Sequence, residues 1–128
     1  MDASSPIDPV FLSDLHEAGG DELVQDVIAT FAASVPPRAA ALQQAATAGQ
    51  VMQVAAAAHA ILSAAAMVGL VEVEMLARTL EDRARGGTLP PAHAPARLAQ
   101  AVEEGIGSLQ QLARQLRGGG GVPAEAGP

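Results

Sequence analysis

The chain has 128 residues, enough for one domain around one core and too few for two. Hydrophobic residues make up 49% of it, but only Phe11 and Phe31 are aromatic; alanine and leucine supply most of the rest, which suits closely packed helices and not the Val, Ile, Thr and aromatic alternation of strands. The net charge is −7, lysine is missing and the arginines are scattered, so neither nucleic acid nor an anionic membrane is an expected partner; without cysteine, disulfides, zinc–thiolate sites and thiol catalysis are excluded together.

Residues 1–6 form a tail, and the stretch Met1 to Pro9 has no basic residue and no apolar run, unlike a signal peptide. Asp8 caps a short first helix, with Pro9 in its first turn and Val10, Phe11 and Leu15 on one face, and Gly19-Gly20 stops it. A second helix starts at Asp21, carries Leu23, Val27, Ile28 and Phe31, bends or breaks at Pro36-Pro37, resumes through Ala39, Leu42 and Ala46, and closes at Gly49. The third runs from about Gln50 to Val68 and ends near Gly69. Its apolar stretch, Val54 to Leu70, is interrupted by His59, Ser63 and Gly69, and reads as a core helix and not a membrane span. The fourth, from about Val71 to Arg85, buries Val73, Leu76 and Leu80. After a turn over residues 86–91, a fifth from about Ala94 to Arg117 puts Leu98, Val102, Ile106, Leu109, Leu112 and Leu116 on one face. Residues 118–128, rich in glycine and proline, are expected to be a disordered tail. Connections this short make neighbouring helices antiparallel: an all-α, up-down four-helix bundle with a short extra N-terminal helix, spanning residues 7–117.

Of three histidines, His16 sits at a helix end and His93 in a Pro-rich loop, and no pair has metal-ligand spacing on a helix. His59 differs. With Val51, Val54, Ala58, Ile61, Ala65 and Val68 forming the core stripe of the third helix, His59 lies about 130° from its centre. Around it stand Met52, Ala56, Ser63 and Ala66, with Ala55 and Leu62 at the border. A solvated helix face ordinarily carries Glu, Lys, Gln or Arg; this one is small and apolar with one imidazole in its middle. It is either a docking surface around a nucleophile or a face covered by the fifth helix or by a second copy of the chain.

The run Ala58-His59-Ala60-Ile61-Leu62-Ser63-Ala64-Ala65-Ala66-Met67-Val68-Gly69 resembles the signature of histidine phosphotransfer domains. Asp8-Pro9, Leu15, Gly19-Gly20, Phe31, Pro36-Pro37, Leu42, Gly49 and Val54 look like that family's first two helices and the lead-in to its third, and Leu76, Leu80 and Glu81 like its fourth. The resemblance implies that His59 accepts a phosphoryl group from a receiver-domain aspartate and passes it to another. It puts Glu81 at the family position that orients the imidazole; helical spacing gives the docking face of Met52, Ala55, Ala56, Leu62, Ser63 and Ala66, and leaves Ser63, one turn on from His59, either to donate a hydrogen bond to the phosphoryl oxygens or to cap a carbonyl. The receiver, in a response regulator or hybrid histidine kinase, brings the Mg²⁺, so the chain needs no cofactor or metal of its own and is a carrier, not a turnover enzyme. Leu62 stands where the family usually has lysine and Ser63 where it usually has glycine; Arg78 is the candidate to replace the missing charge. A cytoplasmic monomer is expected. The alternatives are a phosphorylation-incompetent adaptor that binds receivers, the phospho-accepting domain of a larger histidine kinase, and a structural oligomer built on the Met52–Ala66 face.

Overall fold

The computed structural model describes residues 6–119, which form four helices: α1 (Val10–Thr47), α2 (Val51–Val68), α3 (Val71–Arg85) and α4 (His93–Gly119). The helices form a ring: α1 packs on α2 and α4, and α3 on α2 and α4, while α1/α3 and α2/α4 are diagonal. The largest contact joins α2 to α3. Leu12, Ile28, Phe31 and Leu42 of α1, Val54 and Ile61 of α2, Val73 and Leu80 of α3, and Leu98, Val102 and Leu109 of α4 meet in one core. This is the expected up-down bundle.

The first two expected helices are joined end to end. Gly20, at φ 72° and ψ −166°, interrupts the helical dihedrals where Gly19-Gly20 was expected to stop the chain, and α1 continues beyond it in a new direction. Pro36 and Pro37 do not break α1: Gly20 is its one non-helical position. A proline removes one backbone donor and crowds the preceding turn. Here Val35 and Ala39, buried on either side of the pair, hold the helix to the core. Asp8 accepts a hydrogen bond from Val10 N–H (3.1 Å) as expected of a capping residue, although Pro9 occupies the cap position itself. Gly118 and Gly119 continue α4 beyond the expected end at Arg117; of the two expected tails, residues 1–5 and 120–128 lie outside the described residues.

Two features fix the α2–α3 corner. Gly69 ends α2 in the left-handed region (φ 82°), with Gly69 N–H and Leu70 N–H donating to the carbonyls of Ala66 and Ala65. The segment before α1 then lies across this turn: Asp8 N–H donates to Gly69 O (2.8 Å), and Ile7 pairs with Leu70 in an isolated bridge. A Cβ on Gly69 would come within 2.3 Å of the Asp8 carbonyl oxygen, so the approach requires glycine twice over. α3 carries Glu72 and Glu74 in its first turn and Arg83 and Arg85 in its last, matching the helix dipole. Arg97 of α4 pairs with Glu72, and Arg117 with Asp21 just after the kink (3.6 Å). α2 is long and apolar enough to cross a membrane, yet Val54, Ala55, Ala58, Ile61, Ala65 and Val68 are buried in the bundle.

Candidate functional site

The buried stripe of α2 turns His59 outward, and its side chain is 59% exposed. The ring is held from one side only. His59 Nδ1–H donates to Glu81 Oε2 at 3.0 Å, across the α2–α3 contact, and the same oxygen accepts from Arg85 Nε–H at 2.7 Å. Glu81 itself is nearly buried, its side chain 11% exposed. Burial pushes its carboxyl up, but the Arg85 hydrogen bond, the charge His59 carries when protonated, the charge of Arg85 and the His59 hydrogen bond together hold it below its ordinary value. An ionised carboxylate only accepts, so the proton of the neutral imidazole sits on Nδ1 and the lone pair on Nε2. Nε2 has no hydrogen-bond partner among the described residues. The arrangement is an oriented, exposed nitrogen nucleophile with a buried anion behind it.

Around His59 the structure leaves Met52, Ala56, Ser63 and Ala66 exposed, as the helical pattern indicated, and Leu62 half-buried at the edge. Ala55 is a correction. Expected on the docking face, it is 1% exposed, because its flank of α2 is the one turned toward α3, and a partner cannot reach it. Met67 was missed. It is 63% exposed, about 80° round the helix from His59, a position the same 100° step gives. Met67 also borders an open apolar groove of about 260 Å³ between α1 and α2, lined by Val27, Phe31, Ala64 and Val68. Because α2 and α4 are diagonal, the last helix does not cover the His59 face. His16 is half-buried within α1, and His93 is the exposed first residue of α4, not a loop residue.

A family model, the Hpt domain, matches residues 26–119. The chain belongs to the Hpt family. It is therefore a histidine phosphotransfer protein, a carrier of the phosphorelay kind. Its structure is similar to the crystal structure of histidine-containing phosphotransfer protein B (HptB) from Pseudomonas aeruginosa PAO1. The TM-score is 0.68 at 28% sequence identity, over 87% of this chain and 93% of that one. No curated protein matches the sequence.

Against the family signature two departures remain, Leu62 and Ser63. Arg78, expected to replace the missing lysine, pairs with Glu74 on its own helix instead (3.0 Å). The cation coupled to His59 is Arg85, through the shared Glu81 oxygen. Its signal was present: Glu81 and Arg85 are an i, i+4 acid–base pair, which places the guanidinium beside the carboxylate on one helix face.

Proposed function

We propose that this Hpt protein carries its phosphoryl group on Nε2 of His59, taking it from a receiver-domain aspartate and returning it to another. The observation that carries the reading is the held Nδ1 beside an unpartnered Nε2 on an exposed face of small residues. Nε2 attacks the phosphorus of the aspartyl phosphate in line; the N–P bond forms as the P–O bond to the aspartate breaks, and the carboxylate leaves. The Nδ1 proton stays between the ring and Glu81, whose charge balances the cationic phosphoimidazole. In the reverse step the same contact lets the ring leave as a neutral imidazole. The receiver holds the Mg²⁺, and most of the catalysis is positioning.

Met52, Ala56, Ser63 and Ala66 form the floor on which the receiver sits, and Met67 with the adjoining groove extends it. Small side chains let the receiver's active site approach Nε2 closely. The guanidinium of Arg85, half-exposed, supplies positive charge beside the ring where Leu62 supplies none.

The test is phosphoryl transfer from acetyl-phosphate-charged receiver domains in Mg²⁺. Acid-labile, alkali-stable phosphate is expected on the wild type and none on His59→Gln. Receivers that bind equally well to both proteins without transferring would replace this reading with that of an adaptor.

A further inference from the structure

Ser63 follows His59 by four residues, so the two share a face of α2 one turn apart. Side chains at i and i+4 lie one above the other on a helix face, which stacks the Ser63 hydroxyl one turn beyond the imidazole. Serine and threonine in a helix commonly settle the hydroxyl on the carbonyl four residues back. Thr30, Ser34, Thr79 and Ser108 do so here, at 2.9, 2.8, 3.1 and 3.2 Å. Ser63 does not. Its side chain is exposed and its hydroxyl has no partner among the described residues.

The surroundings give that hydroxyl a purpose. α2 carries no charged residue, and its other polar side chain, Gln53, lies about 120° round the helix from His59. Arg85 approaches from α3. Because α2 and α3 are antiparallel and Glu81 is level with His59, Arg85 lies toward the start of α2. On the side of His59 that faces the end of α2, Ser63 is the hydrogen-bond donor that α2 itself provides.

Resting on the assignment of the phosphoryl group to His59 Nε2, we propose that Ser63 Oγ–H donates a hydrogen bond to a non-bridging phosphoryl oxygen and so stabilises the phosphorylated protein. Ser63 forms no covalent bond and exchanges no proton. A hydrogen bond thus stands where Leu62 has removed an ammonium charge, and the carrier holds its phosphoryl group more firmly than a glycine at position 63 would allow.

The equilibrium constant for transfer from one charged receiver, measured from both directions, separates this role from docking. A residue that only shapes the docking face changes forward and reverse rates together and leaves the constant alone. Ser63→Ala is expected to lower it about tenfold, the worth of one hydrogen bond to a charged group, and Ser63→Thr to keep it within about twofold of wild type. An unchanged constant in Ser63→Ala overturns the proposal. Phosphoramidate labelling followed by ³¹P NMR, run on wild type and His59→Gln, distinguishes the two levels of failure. Phosphohistidine in the wild type with an unchanged constant in Ser63→Ala defeats the Ser63 role alone, whereas no phosphohistidine in the wild type defeats the His59 assignment as well.

Discussion

The two flanks of α2 are made of the same material and do opposite things. On one, Ala55, Ala58 and Ile61 are closed off inside the bundle; on the other, Met52, Ala56, Ala66 and Met67 stand open around His59. Alanine serves the first flank by letting helices approach, and on the second it leaves the surface around the imidazole low. Hydrophobicity therefore does not separate the core from the exposed face in this helix. What separates them is the ring of helices, which brings α3 over one flank and places α4 diagonally, where it covers nothing of the other. Glu81 stands on the boundary, buried enough to be held and close enough to reach His59.

The strongest way to break the comparison is at that boundary. Glu81→Ala removes the acceptor for Nδ1–H and frees the ring to turn, and phosphoryl uptake from a charged receiver is expected to fall about a hundredfold, the scale of a misplaced reacting group. Single-turnover rates measure it; an undiminished rate would mean the ring needs no orientation from α3. Next comes a matched pair. Ala55→Leu overpacks the closed flank and is expected to cost about 1–3 kcal/mol in urea unfolding. Ala56→Leu, one residue on and exposed, is expected to stay within about 0.5 kcal/mol of wild type while weakening receiver binding. Equal stability losses in the two would erase the distinction between the flanks. Met67→Asp is expected to spare stability and weaken receiver binding about tenfold by putting a charge on an apolar contact. Isothermal titration would show it, and unchanged affinity would confine the footprint to the surroundings of His59.

The smallest effect is in acid. Glu81 has a lowered folded-state pKa, so its contribution to stability is complete above the ordinary value of 4.5 and is lost as pH falls through the lower folded value. The stability difference between wild type and Glu81→Gln is thus expected to shrink as pH falls below 4.5. A difference that stays constant below 4.5 would show that the ionised Glu81 carboxylate contributes nothing to stability.

Much of this was legible in the residues. The breaks at Gly20, Gly49 and Gly69 follow from glycine's access to positive φ, and the outward turn of His59 follows from helical spacing. Helical spacing left Ala55 at the border, since the covered arc of a helix depends on which neighbour lies over it. Proline propensity overstated the break at Pro36-Pro37, where packing of Val35 and Ala39 decides. The strap of Ile7 and Asp8 over Gly69 is a contact between residues far apart in sequence, and no local pattern marks it. Arg85 was readable from its spacing to Glu81, but Arg78 has the same relation to Glu74, and only the fold shows which pair lies beside the histidine.

The central claim is the nitrogen on which the phosphoryl group rides, and ¹⁵N–³¹P NMR of the phosphorylated protein, with histidine labelled in the ring, tests it most directly. The account predicts a single phosphohistidine whose phosphorus couples to Nε2 of His59, with Nδ1 protonated and hydrogen-bonded. Phosphorus coupled to Nδ1, or a signal that persists in His59→Gln, would contradict it.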